Sequence, residues 1–176
     1  VKYIINFVRV WEDNDDPYDP TNGIDMLDQF RDHWVSSMGF VDRDVAHILS
    51  GRDNLPYGGV AFGGTTCSNN WGYSVSGYLS GSFPTPLEDN NGGNWDLVVM
   101  SHELGHYLGA PHTHDIGIDN CAGGDCGDAF GATMMSYCHT CSGGIGNILL
   151  QFHPAIEGYM YSYMDSVTCD ESGAAT

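Results

Sequence analysis

His102-Glu-Leu-Gly-His-Tyr-Leu-Gly-Ala-Pro-His112 is the stretch from which the rest of the chain is read. As a helix it sets His102 and His106 four residues apart, one turn along the same face, so that two imidazoles can reach one metal ion. Glu103 then sits beside the ion without being needed as a ligand. Gly109 can end the helix in a left-handed turn, a conformation only glycine adopts cheaply. The turned chain can bring His112 back as a third nitrogen ligand. Three protein ligands leave one tetrahedral position for water, which distinguishes a catalytic zinc site from a closed structural one. The competing reading, a helix with ordinary core or surface histidines, must explain five positions at set spacing with a glycine where the geometry demands one.

Composition bounds what such a site can sit in. A chain of 176 residues supports one domain with a real core, burying about two-thirds of its surface on folding. Five Lys and Arg stand against 23 Asp and Glu, a formal charge of −18. That surface repels nucleic acid and anionic membranes, so neither is expected as a partner. The acidity itself reads as a solvated, soluble surface, with calcium binding (Ca2+) or a saline habitat as additions, and says little about the substrate. No apolar run approaches the ~20 residues that span a bilayer. Val1-Lys2-Tyr3-Ile4-Ile5 is too short for a signal peptide, so the expectation is that any targeting segment is already gone.

Six cysteines stand at 67, 121, 126, 138, 141 and 169. An even count in a glycine-rich chain fits three disulfides and an oxidising, extracellular compartment. Cys121-x4-Cys126 and Cys138-x2-Cys141 also resemble a four-cysteine structural zinc site. That would leave Cys67 and Cys169 as a pair better suited to a disulfide than to free thiols. The compartment argument favours disulfides throughout, and so does the glycine content: 24 glycines give a loop-rich fold that needs covalent or metal staples.

Taken in order, residues 3–11 are β-branched and aromatic and read as a strand. Residues 12–20 form an acidic turn that could hold calcium but lacks the spacing of a calcium-loop motif. Thr21 or Asn22 can cap a helix over residues 24–38, where apolar positions follow the helical period until Gly39 stops it. Residues 44–49 and 58–64 read as short strands. Residues 73–79 alternate by face, as a half-exposed edge strand would, offering free backbone groups to an extended peptide. Residues 80–94 are a loop, and 95–108 the histidine-bearing helix. Beyond His112 periodicity fades into a glycine- and aspartate-rich loop over 113–131. There His114 reads as an exposed histidine, and Asp115, Asp119, Asp125 and Asp128 as scattered solvated acids. Residues 145–152 are a short apolar link, and Pro154 opens a last helix over about 154–166. No repeat or linker divides the chain, so residues 1–176 are expected to be one domain.

The histidine-glutamate stretch matches the long metzincin motif H-E-x-x-H-x-x-G-x-x-H at every fixed position. Thr133-Met-Met-Ser-Tyr137 resembles the methionine turn of that clan, with Met135 in register as the turn methionine. Val8-Arg-Val-Trp11, the helix after it, Ala46-His-Ile-Leu-Ser-Gly51 and Gly59-Val-Ala-Phe…Cys67 are similar in kind and order to the adamalysin (reprolysin) branch. The resemblance implies an α/β (α+β) catalytic domain. Its upper subdomain, about 1–110, would hold a twisted, mostly parallel sheet with an antiparallel edge strand and the active-site helix. Its lower subdomain, about 111–176, would be looped and end in a helix. The resemblance also implies a secreted zinc endopeptidase with His102, His106 and His112 on Zn2+, protein or peptide substrates, and a monomeric state. In that mechanism the metal acidifies a water molecule, Glu103 accepts its proton and passes it to the leaving amine, and Met135 is a packing floor. Tyr137 matches a tyrosine that ligates zinc or steadies the oxyanion in the astacin-like and serralysin-like branches; a tyrosine packed under the site is the equal alternative. Cys67–Cys169 resembles a family bridge.

The chain departs from the branch in three places. Thr113 follows the third histidine where Asp is usual; Thr133-Met-Met135 replaces Cys-Ile-Met; and residues 3–11 correspond to the family's second strand. For the third, the expectation is either that the first strand and its helix lie in upstream residues removed from or left out of this sequence or that the domain uses a reduced sheet. The second departure leaves the pairing of Cys121, Cys126, Cys138 and Cys141 open. A non-catalytic or toxin-like binding module with a vestigial zinc site is the alternative function, against which the intact Glu103 argues. A zinc hydrolase for a non-peptide substrate is a third.

Overall fold

A computed structural model describes residues 3–12, 16–18 and 23–169. Tyr73-Ser-Val-Ser76 forms the middle of its sheet. Alternate residues of a strand face opposite ways, and here Tyr73 and Val75 enter an apolar core while Ser74 and Ser76 face the other layer; all four are fully buried. This strand, β3 (Tyr73–Ser76), pairs in parallel with β1 (Ala46–Leu49), Ala46 opposite Tyr73. On its other side it pairs antiparallel with β2 (Gly59–Ala61), Val60 opposite Val75. The order is β1-β3-β2.

The expectation of a half-exposed edge strand at 73–79 is therefore corrected: β3 is central, and β2 is the antiparallel edge. The alternation misleads because the serines look like solvent-facing positions. They are satisfied inside the protein instead, Ser74 Oγ lying 2.7 Å from the Tyr107 hydroxyl oxygen and Ser76 Oγ 2.8 Å from His47 Nε2.

Helix α1 (Gly23–Ser37) covers one face of the sheet. Met26, Leu27 and Phe30 pack with Ala46, Ile48, Tyr73 and Val75, and Phe30 meets Tyr73 edge-on at 5.5 Å. The cap expected at Thr21 or Asn22 lies outside the described residues, as does much of the acidic turn. Of that turn, Asp16 is engaged by Arg52 and by the Tyr18 amide.

Residues 3–11 form no strand. A β-branched composition yields a strand only where a neighbour supplies the ladder, and among the described residues none pairs with this segment. It is tethered by Asn6 to the Asp42 carbonyl and by Phe7 edge-on to Trp34, while Ile5 and Val10 remain exposed.

Helix α2 (Trp95–Tyr107) lies on the opposite face, joined to β1 by the Tyr107 hydroxyl, which donates to the Ala46 carbonyl at 2.6 Å. Beyond it the chain runs through short helical turns and three disulfides. Cys121–Cys138 and Cys126–Cys141 bind the 113–131 loop to the segment after residue 137, and Cys67–Cys169 ties the segment after α3 (Pro154–Met164) to the loop between β2 and β3. No free cysteine is present, which removes the four-cysteine zinc reading. Closing the two short loops, of 17 and 15 residues, contributes about 3 kcal/mol per bridge, and the 102-residue loop about 4.7 kcal/mol, a large share of stability for segments with little regular structure. Pro154 occupies the first turn of α3, and His153 caps it by accepting from the Ala155 amide at 3.2 Å.

Candidate metal centre

His102 and His106 project from the last two turns of α2. The helix then stops at Gly109, whose φ of +79° reverses the chain. A side chain is excluded there twice over, by that φ and by Tyr163 of α3, whose Cβ would lie 2.9 Å from an added Cβ. The reversal brings His112 back, and one ring nitrogen from each of the three histidines falls within 4.8 Å of the others.

The outer ring nitrogens set the tautomers. His102 Nδ1 donates to the Met134 carbonyl at 2.7 Å and His106 Nδ1 to the Ala110 carbonyl at 2.9 Å. A carbonyl only accepts, so both protons sit on Nδ1 and both Nε2 lone pairs are free. His112 Nδ1 lies 3.3 Å from the Asp115 carboxylate, which imposes the same tautomer. Burial, the largest influence on each ring, lowers all three pKa values: His102 well below the usual range, His106 below it, and His112 to about 4. The rings are neutral at physiological pH, the form that ligates.

This donor set fits a cation. His106 Nε2 and His112 Nε2 are 3.1 Å apart, and with the protons on Nδ1 neither donates to the other. Two lone pairs facing at that distance repel unless a positive centre lies between them. A tetrahedral ion with 2.0–2.1 Å bonds sets its nitrogens about 3.3 Å apart. No lysine or arginine follows Arg52 in the sequence to serve that purpose.

Glu103 is buried on the same turn as His102, and its Oε2 has no hydrogen-bond partner. Burial pushes its carboxyl up to about 8. An orphaned carboxylate oxygen beside three converging nitrogens leaves one acceptor for a water molecule or substrate proton.

Beneath the histidines Met135 is fully buried, its Sδ 2.7 Å from where a Cβ on Gly105 would lie. Glycine at 105 thins α2 enough for the methionine to slide under it. The turn holding Met135 is bonded to both sides of the centre. The Met134 carbonyl accepts from His102 Nδ1, and the Met135 carbonyl accepts from the Thr113 amide at 3.0 Å. Tyr137 stands with its ring centroid 4.5 Å from His112 and 6.0 Å from His102. Burial first, then the Glu103 and Asp115 carboxylates, raise its pKa, so the phenol keeps its proton.

A model of a reprolysin-type group described as metallo-peptidase family M12 matches residues 4–147. The chain belongs to this family. No curated protein matches the chain. As a reprolysin-like metzincin of family M12, it is a metallopeptidase whose substrates are proteins or peptides. Among the described residues its α+β domain, with three α-helices and a mixed three-stranded sheet, is of the metzincin kind. The matched region runs from before α1 through residues 133–137, so it includes the departures at Thr113 and Thr133.

Three residues near the centre were misjudged or passed over in the sequence of this M12 member. His114, read as exposed, is mostly buried and stacks on His112 at 4.9 Å with ring planes 10° apart. Parallel rings cannot aim in-plane lone pairs at one ion, so the stack supports His112 rather than adding a ligand. Asp119, read as a solvated acid, accepts from the Thr113 hydroxyl, the Ser136 hydroxyl at 2.8 Å and the Cys121 amide at 3.1 Å. Burial works against its charge, but these donors outweigh it and hold its pKa low. His139 packs edge-on against Trp95 at 5.7 Å and Tyr137 at 5.9 Å. Asp119 and His139 carry no spacing signal, because they meet Ser136 and Trp95 only through the path of the disulfide-bound loops.

Proposed function

We propose that the chain is a secreted zinc endopeptidase, with residues 1–176 as one catalytic domain. The convergence of three neutral, Nδ1-protonated histidines beside the orphaned Glu103 oxygen carries this reading. His102, His106 and His112 would hold the metal, which when bound supplies Lewis-acid polarisation of the scissile carbonyl and a more acidic water. Glu103 takes the proton of the attacking water and delivers it to the leaving amine. A carboxyl raised by burial is a stronger base than an exposed one, and a cation among the histidines would lower its pKa again, favouring the ionised form that accepts a proton.

The substrate backbone has a defined place to lie. Gly58 accepts from the Gly77 amide and the Phe62 amide donates to Tyr73. Bonded residues alternate along an antiparallel ladder, so 58, 60 and 62 serve β3 while Gly59 and Ala61 turn their N–H and C=O groups outward. An extended peptide pairing with those groups adds a strand next to Glu103. Tyr137 is the donor we assign to the developing oxyanion. The described arginines of the sheet's other face are already engaged, Arg31 over Trp71 and Arg43 over Trp34 and Tyr73. Met135 is the floor under the histidines.

The test is cleavage of casein or gelatin by zinc-loaded protein, abolished by a chelator and restored by zinc. Glu103→Ala should keep the metal while losing about 10²-fold or more in turnover. A zinc-loaded wild type that cleaves nothing refutes the proposal.

A further inference from the structure

His112 is the one histidine of the three that α2 does not hold. Its position depends on the chain after Gly109 and on whatever ties that chain to the methionine turn. Two direct ties run from Thr113, the residue after it: its amide donates to the Met135 carbonyl at 3.0 Å, and its hydroxyl approaches the same carbonyl at 3.2 Å. The third member is Asp119. One oxygen of its carboxylate, Oδ2, accepts from both the Thr113 and Ser136 hydroxyls, and Oδ1 accepts from the Cys121 amide. Thr113 and Ser136 are themselves buried, and the Ile118 amide closes the loop by donating to the Thr113 carbonyl at 2.9 Å.

We propose that Asp119 is a positioning residue that holds His112 in register with His102 and His106, by clamping Thr113 to Ser136. The inference rests on the zinc-peptidase reading above. The methionine turn fixes His102 from one side through the Met134 carbonyl, and Asp119 fixes the segment carrying His112 from the other. Without the carboxylate, two buried hydroxyls lose a charged acceptor, and the seam between the third ligand and the turn can open. Ligand geometry tolerates little of that, since outer partners of metal ligands contribute 10–100-fold in affinity and a shift of about 1 Å can cost about 10²-fold in rate. Cys121 and its bridge to Cys138 add a covalent anchor to the same carboxylate.

The experiment compares Asp119→Ala, Asp119→Asn and Thr113→Val. It measures zinc affinity by chelator competition, kcat and KM on a fluorogenic peptide, and thermal unfolding of the metal-free protein. Asp119→Ala should weaken zinc binding 10–100-fold and lower kcat by a similar factor, with KM within about twofold. Asp119→Asn keeps an acceptor for Cys121 and can still bond both hydroxyls, so it should recover most of the loss. Thr113→Val cuts the link to the segment carrying His112 alone, and it decides the matter if Asp119→Ala does not fold; it should weaken zinc binding by about tenfold. Zinc affinity and kcat at wild-type level in a folded Asp119→Ala or Thr113→Val, even with a lowered Tm, would overturn the proposal. A wild type that binds zinc but cleaves no peptide would refute the peptidase reading instead, and the variants' zinc affinities would still decide the role of Asp119.

Discussion

Gly59 lies directly against the Glu103 carboxylate: a Cβ built on the glycine would collide with Oε1 and come within 2.7 Å of Cδ. The edge strand and the candidate base are therefore one unit, and a change in β2 reaches the chemistry without touching a histidine. Gly59→Ala should displace the carboxylate at an overpacking cost of about 1–3 kcal/mol. We expect kcat to fall about 10–100-fold at unchanged zinc stoichiometry. Wild-type turnover in that variant would mean the carboxylate has room to move.

Tyr137→Phe tests the oxyanion donor. The ring would stay packed beside His112, so zinc affinity should not change. Loss of the hydroxyl should lower kcat by about 10²-fold, as removal of one oxyanion donor does elsewhere. A loss of zinc affinity would make Tyr137 a ligand; an unchanged rate would make it packing alone.

The methionine floor can be tested by a double-mutant cycle. Alanine is favoured over glycine inside a helix by about 1 kcal/mol, yet a Cβ at position 105 meets Met135 Sδ at 2.7 Å and Phe152 Cε1 at 3.0 Å. Gly105→Ala should therefore destabilise the wild type by about 1 kcal/mol or more. In a Met135→Ala background the sulfur is gone, and the same substitution should cost less or become favourable. Additive effects in Tm or denaturant midpoint would show that the two residues do not press on each other.

What was legible in the sequence follows from how each feature is encoded. The histidine helix and its Gly109 stop are local, because helical spacing and one φ value determine them, and α1 and α3 are readable for the same reason. The sheet is not local. Tyr73-Ser-Val-Ser76 carries an alternation that means half-exposed only if the far face meets water, and here that face meets Tyr107 and His47. Residues 3–11 have strand composition without a ladder, which composition cannot reveal. The pairing of the four lower cysteines admits three connectivities, and only the path of the 113–131 loop selects Cys121–Cys138 and Cys126–Cys141. Asp119 and Ser136 are 17 residues apart, with no periodicity to join them.

The pH dependence of the metal-free protein isolates Glu103. Its folded pKa, about 8, lies above the ordinary 4.5, chiefly through burial. A raised folded pKa means that the unfolded chain gives up its proton first, so stability from this group is whole below 4.5 and is lost as pH rises to 8. The buried histidines act oppositely. His47 and His112 are lowered to about 4 by burial from an ordinary 6.5, so the unfolded chain holds more protons in that interval and stability rises with pH up to 6.5. Between 6.5 and 8 the histidines no longer contribute, and Glu103 acts alone with a slope of up to about 1.4 kcal/mol per pH unit. Metal-free wild type should thus be most stable near pH 6.5 and lose Tm toward pH 8. Glu103→Gln should rise to the same point and then stay level. Zinc should flatten the wild-type decline as well, because a cation among the histidines favours the ionised carboxylate. Calorimetric melts of the two proteins at half-unit steps from pH 5 to 9 give the comparison, and a parallel decline in both above pH 6.5 would assign the loss to a group other than Glu103.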